Sequence, residues 1–248
     1  MIEIIGLHKR LGGRPVLRGV NLQVREGETL VVMGPSGTGK SVLLKHIVGL
    51  FDPDAGDIVV DGVSVPVADR RGIAAVRSKI AYVFQNSALF DSMTVRGNLL
   101  MGLPAGFCRG RQGECDELVL AALGHVNLEP DVLSLFPAEL SGGMQRRVAI
   151  ARAIIGKRRY VLYDEPTTGL DPVNATRINR LIARVSHEVD ATSIVVTHDV
   201  TSAFFLADRI VLLADGVVQA EGTPQQLRDT DNPAVRQFLD AAPAPGPA

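Results

Sequence analysis

The chain has 248 residues, with 26 basic and 27 acidic side chains and a formal net charge of −1. That balance gives no overall pull toward nucleic acid or an anionic membrane surface. Apolar residues make up 46%, enough for one large domain or a domain with an inserted lobe, and no uncharged apolar run approaches the roughly 18 residues that cross a bilayer.

The opening Met1-Ile2-Glu3-Ile4-Ile5 lacks a basic n-region and a long apolar stretch, so a secretory leader is not expected and a cytosolic location is. In that setting the two cysteines, Cys108 and Cys115, are expected as free thiols rather than a disulfide or a metal site. Residues 2–8 and 20–24 have the texture of strands, with Leu11-Gly12-Gly13-Arg14-Pro15 turning between them. Thr29-Leu30-Val31-Val32-Met33 is an apolar, partly β-branched run that suits a buried strand.

Gly34-Pro35-Ser36-Gly37-Thr38-Gly39-Lys40-Ser41 follows at once and fits the phosphate-loop pattern G-x-x-x-x-G-K-[ST]. Residues 41–48, beginning Ser41-Val42, suit a helix, so the glycines fall at a strand-to-helix turn. Gly34, Gly37 and Gly39 let the backbone curl and point N–H groups inward. The helix N-terminus adds partial positive charge there. Lys40 can reach the β- and γ-phosphates, and the Ser41 hydroxyl can ligate Mg²⁺. Nucleoside triphosphate binding is the expectation.

Gly49 and Pro53 end that helix. Residues 56–62 are a short strand with a tight Asp-Gly turn, and residues 80–84 another strand with Gln85 at its exit. From about 87 to 157 helical patterns dominate, at 95–101, 114–123, 131–136 and 142–155. This reads as a helical lobe inserted into an α/β core. Arg109 and Arg111, in its Gly-rich loop, read as solvated. The α/β rhythm then returns: strand 160–163, helix 172–189, strand 192–196, helix 200–206, and a hairpin of 210–213 and 217–220 around Asp215-Gly216. Alternation of this kind argues a mainly parallel sheet covered by helices. Residues 224–228 and 233–240 read as short helices, and the Pro/Ala-rich 241–248 as a disordered tail.

Two further stretches carry chemistry. Tyr160-Val161-Leu162-Tyr163-Asp164-Glu165 is a strand ending in two carboxylates. Asp164 can hold Mg²⁺, directly or through water, and Glu165 can orient or deprotonate an attacking water. Leu140-Ser141-Gly142-Gly143-Met144 stands before a helix, with Ser141 a natural N-cap. It reads either as a plain cap or as a second anion-binding helix end. A second copy of the chain could bring it to a phosphate.

At this point the pattern resembles the ATP-binding-cassette (ABC) ATPases over roughly residues 2–228. The matches, in family order, are the Walker A loop (34–41), the Q-loop Gln85, the signature Ser141, Gly142, Gly143 and Met144, Walker B (161–165), the D-loop Gly169-Leu170-Asp171, and the switch His198. The stretches 84–95, 168–173 and 232–240 are similar to the Mla/Mkl group, ATPases of bacterial phospholipid and Mce-linked lipid transport. The resemblance implies a P-loop α/β fold with a RecA-like parallel core, an N-terminal antiparallel β subdomain (core about 2–86 and 158–228) and a helical subdomain at about 87–157. It implies ATP and Mg²⁺ as ligands, with Ser41, Gln85 and Asp164 on the metal. It also implies a homodimer in which one chain supplies Lys40, Ser41, Gln85, Asp164, Glu165 and His198 and the other supplies Ser141, Gly142 and Gly143. Asp171 would link the two sites. A membrane permease docked near Gln85 and the helical subdomain, and a Mce-type substrate-binding subunit, complete the expected assembly on the inner face of the membrane. The family usually stacks adenine on an aromatic near the end of the first strand; Leu11 stands there. An importer of a small polar solute and a soluble ABC protein of DNA repair or translation are the competing readings.

Overall fold

The computed structural model of the protein describes residues 1–240, so the tail anticipated at 241–248 lies outside the described residues. The elements divide into two units: Met1–Ile80 with the chain from Thr192 onward, and Ala81–Ala191.

In the first unit, β1 (Ile2–Leu11) and β2 (Arg14–Val24) pair antiparallel, with Ile2 opposite Val24 and Ile4 opposite Leu22. Both strands run longer than their apolar texture suggested. β4 (Ala55–Val60) lies on the other side of β1, and the two-residue β5 (Val63–Ser64) completes the order β2-β1-β4-β5. Ile2, Ile4, Leu7, Val20, Leu22, Val24, Ile58 and Val60 are buried on this sheet, as period-2 alternation requires.

The second sheet of this unit is built on β3 (Thr29–Met33), whose five residues are all buried. β3 runs parallel to β8 (Thr192–Thr197) and to β9 (Arg209–Ala214), and β10 (Val217–Gly222) closes a hairpin on β9. Burial on both faces explains the apolar runs of β3, β8 and β9, whereas β10, at the edge, is only half-buried. Helix α1 (Lys40–Ile47) follows β3, and α7 (Val200–Leu206) follows β8. Helix α2 (Arg70–Ser78) was not anticipated. It buries only Val76 and starts at Asp69, whose carboxylate accepts from Gly72 N at 2.7 Å. Its Arg77 donates to the carbonyls of Val48 and Gly49, both at 2.9 Å, satisfying the end of α1. The short helices α8 (Pro224–Asp229) and α9 (Pro233–Asp240) end the described chain.

The second unit holds the neighbouring strands β6 (Ile80–Val83) and β7 (Tyr160–Asp164), with helices α3 (Val95–Leu100), α4 (Gln112–His125), α5 (Gly142–Ile154) and α6 (Pro172–Glu188). The helix expected at 131–136 is a pair of 3₁₀ turns, Pro130–Ser134 and Pro137–Glu139. A proline opens each turn and holds it short. The expectation of free thiols is corrected. Cys108 and Cys115 form a disulfide, their Cα atoms 5.8 Å apart. Gly106 and Gly110, at φ 77° and 74°, curl the loop back on the first turn of α4 and bring the two residues into bonding range.

Candidate active site

The first unit carries the phosphate loop at the junction of β3 and α1. Two glycines there are required by contact. A Cβ on Gly34 would lie 2.1 Å from the Leu213 carbonyl oxygen on β9. Gly39, at φ 98°, would place one 2.9 Å from the side chains of Val16 and Leu17 on β2. The loop is therefore wedged between two strands, with Pro35, Ser36 and Gly37 exposed at its crest. Lys40 is 4% exposed, and its Nζ donates to the carbonyls of Gly34 at 2.8 Å and Pro35 at 2.9 Å. The ammonium is folded back onto the loop's own carbonyls, where an anion would compete for it. Thr38 Oγ1 donates to the Pro35 carbonyl at 2.9 Å. Ser41 and Val42 lie half-buried in the first turn of α1.

His198 is exposed between two fixed elements. The whole of β8 before it is buried, and Asp199 after it caps α7, accepting from Thr201 N and Ser202 N. Leu11 ends β1 with 39% of its surface exposed.

The second unit carries the carboxylates. Asp164 ends β7, buried, and accepts from the Tyr82 hydroxyl at 2.8 Å. The Tyr82 ring stacks on Phe84 with centroids 4.2 Å apart. Burial, and then the Asp164 charge, push the Tyr82 phenol far above its ordinary range. Glu165 is also buried, and its backbone sits in the left-handed region at φ 49°. Such a conformation costs a non-glycine residue on the order of 1–3 kcal/mol. Thr168 Oγ1 donates to Glu165 Oε2 at 2.9 Å, so the strained carboxylate is held in one orientation.

Ser141 caps α5, its Oγ accepting from Met144 N at 3.3 Å, and Gly142 and Gly143 form the first turn. Asp171 caps α6 and accepts from Val173 N, Asn174 N and Asn174 Nδ2. Those bonds, led by the Asn174 N–H, hold its carboxyl below the usual carboxylate range.

The contacts that unite this unit come from α5. Arg146, 6% exposed, donates to the carbonyls of Phe84 and Gln85, the former at 3.0 Å, and to that of Thr168 at 3.4 Å. Arg152 donates to the carbonyls of Ser87 at 2.9 Å and Ala88 at 2.8 Å, two residues with positive φ. The Gln85 turn, the loop after Glu165 and the signature helix are thereby tied together. Sequence reasoning missed Tyr82, Arg146 and Arg152. The acceptors of the two arginines are backbone carbonyls, which residue identity does not encode.

Among the described residues, no group of three or more His, Cys, Asp or Glu could hold a metal alone. The Ser41 hydroxyl, Gln85 amide and Asp164 carboxylate are hard oxygen donors. That class suits Mg²⁺, which takes few protein ligands and fills its shell with phosphate and water oxygens.

A family model described as ABC transporter matches residues 17–168. The chain belongs to the ABC transporter family. This ABC cassette is 36% identical over 239 residues to the probable ribonucleotide transport ATP-binding protein mkl of Mycobacterium tuberculosis, covering 96% of the chain and 66% of that protein, just under two thirds of its length. It is 38% identical over 245 residues to the intermembrane phospholipid transport system ATP-binding protein MlaF of Haemophilus influenzae, covering 96% of the chain and 90% of that relative. Among solved structures, the dimeric post-hydrolysis state of the ATP-binding cassette MJ0796, bound to ADP and Pi, matches with a TM-score of 0.80 at 33% identity, over 90% of this chain and 99% of that one. The fold is thus the P-loop α/β fold of the ABC ATPases.

Proposed function

We propose that this ABC cassette hydrolyses ATP as a homodimer and drives a membrane permease that moves phospholipid or another lipid, with a Mce-type substrate-binding subunit. The observation that carries the hydrolytic part is Glu165: a buried, strained carboxylate directly after Asp164 and oriented by Thr168. The likeness to MlaF over nearly the whole of both chains supports the lipid cargo.

In this reading Lys40 exchanges the carbonyls of Gly34 and Pro35 for the β- and γ-phosphate oxygens. N–H groups of residues 34–42 cradle the phosphates, and Leu11 contacts the base. Ser41, Gln85 and Asp164 would hold Mg²⁺, which supplies charge neutralisation on the phosphates. Glu165 takes the proton of the attacking water, and His198 orients that water and the γ-phosphate. Ser141, Gly142 and Gly143 of the second copy close over the nucleotide, with Met144 behind them. Asp171 fixes the start of α6 at the dimer contact. The permease seats a cytoplasmic helix near Gln85 and the helices of the second unit.

The test is Glu165→Gln. It keeps ATP binding, lowers turnover by roughly 10² to 10⁵ and accumulates an ATP-bound dimer in size-exclusion chromatography. Unchanged hydrolysis removes Glu165 from the role. For the cargo, the chain is captured from detergent-solubilised membranes with its partners. Co-purifying phospholipid and a Mce-type subunit support the reading, and a soluble solute-binding protein in their place overturns it.

A further inference from the structure

We propose that the cleft bounded by the end of α4, the start of α5 and one face of α6 binds a small anion carrying two or more phosphate charges. The cleft measures about 490 Å³ and lies wholly within the second unit. That volume is in the range of small-molecule sites. Four arginines line it: Arg147 on α5, and Arg177, Arg180 and Arg184 on α6, over a floor of the buried Ile178 and Leu181.

The spacing on α6 is i, i+3, i+7, which puts all three guanidinium groups on one side within roughly 10 Å of helix axis. Like charges so placed destabilise a bare helix. No carboxylate belongs to the lining. Two acids stand beside the cleft, and only Glu188 pairs with one of its arginines. Glu188 accepts from His125 at 2.7 Å and lies 3.9 Å from Arg184, and Asp171 is committed to the first turn of α6. Arg177 and Arg180 make no ion pair among the described residues.

Two of the four arginines are already positioned. Arg147 donates to the Asn127 carbonyl at 2.7 Å, and Arg184 donates to the His125 carbonyl at 2.5 Å and to Asn127 Oδ1 at 3.4 Å. The crowding of like charge also registers on Arg147: burial, and then the Arg177 charge, hold its pKa below the usual arginine value. Fixed guanidinium forks around a concave, low-acid pocket match the oxygens of a phosphate in pairs. Small volume and concavity favour a compact ligand over an extended duplex or a flat lipid surface. The inference does not depend on the roles assigned to the phosphate loop.

The experiment uses the full chain in a Lys40→Ala background, which strips the phosphate loop of its ammonium and weakens its hold on anions. Isothermal titration with pyrophosphate and, separately, with ATP is expected to show one remaining site per chain. Arg177→Glu together with Arg180→Glu is expected to weaken that site about 100-fold or more, whereas Arg70→Glu, elsewhere on the surface, leaves it unchanged. Pyrophosphate is also expected to raise the melting temperature of the Lys40→Ala chain but not of the charge-reversed one. Because relieved repulsion should leave Arg177→Gln with Arg180→Gln folded and at least as stable, that pair keeps the test readable if the reversals misfold. Vesicles of phosphatidic acid in phosphatidylcholine, bound through the same arginines without pyrophosphate binding, would assign the patch to a lipid surface and overturn the proposal. Loss of all anion binding in Lys40→Ala overturns the proposal. So does binding that survives the Arg177 and Arg180 changes, or binding of a decaglutamate peptide without pyrophosphate.

Discussion

Replacing Arg146 by methionine keeps the aliphatic stem and removes the guanidinium that bonds the carbonyls of Phe84, Gln85 and Thr168. A hydrogen bond involving a charged group contributes roughly 1.5–3 kcal/mol. The bond to Thr168 is long, at 3.4 Å. Burial itself disfavours the charge and lowers its pKa, so part of the loss is offset when the ion is removed. The net destabilisation is expected at about 2–3 kcal/mol, which for a chain of this size lowers the melting temperature by roughly 5–10 °C. Urea unfolding followed by far-UV circular dichroism at pH 7.5 reads the first number and calorimetry the second. Arg146→Lys, which restores charge without the fork, should recover less than half. A methionine variant within about 0.5 kcal/mol of the parent, or more stable than it, would refute the clamp, because well-packed apolar replacements of a dispensable buried ion are often neutral.

Tyr82→Phe removes the hydroxyl that donates to Asp164. A loss of about 1.5–3 kcal/mol of stabilisation at that carboxylate is expected, seen as lower thermal stability together with a changed Mg²⁺ concentration for half-maximal nucleotide binding; equal values for both proteins remove the contact from consideration. Leu11→Tyr supplies the aromatic face missing at the end of β1, and base stacking of about 1–2 kcal/mol should tighten ATP binding roughly 5- to 30-fold; no gain in a fluorescent-nucleotide titration means the base lies elsewhere. His46 is buried with Nδ1 2.7 Å from the Val42 carbonyl, and burial first, then Lys9, depress its pKa below 6.5. The unfolded chain therefore takes up a proton before the folded one does. This contribution is complete above pH 6.5 and is lost as pH falls through the folded value, at up to about 1.4 kcal/mol per pH unit. His46→Leu should flatten that part of the stability curve between pH 6.5 and 5.5, and superimposable slopes would count against it.

The parts of the chain that were readable beforehand are those where one constraint dominates. β3 matches its apolar run residue for residue, because burial on both faces leaves nothing else to write there. Helices α7 and α9 match their expected bounds, where Asp199 and Pro233 mark the starts. The phosphate-loop glycines were legible because backbone geometry dictates them. Helix α2 was hidden because a single buried valine gives no apolar stripe, and its signal was the Asp69 cap alone. The disulfide was hidden because it depends on how the 104–111 loop turns, a three-dimensional fact. The arginine cleft went unread: the i, i+3, i+7 spacing of Arg177, Arg180 and Arg184 marks one face of α6, but only the fold shows that Arg147, in the second turn of α5, joins them in the same lining.

Arg146 and Arg152 stand six positions apart on α5, about 9 Å along the axis, and between them grip the carbonyls of Phe84, Gln85, Ser87 and Ala88. Two anchorages at that distance resist both sliding and rolling of the rod against the turn. Gln85 and the Gly142-Gly143 tip are thus fastened to one and the same rod, so a load on the turn is borne by the helix that presents the glycines.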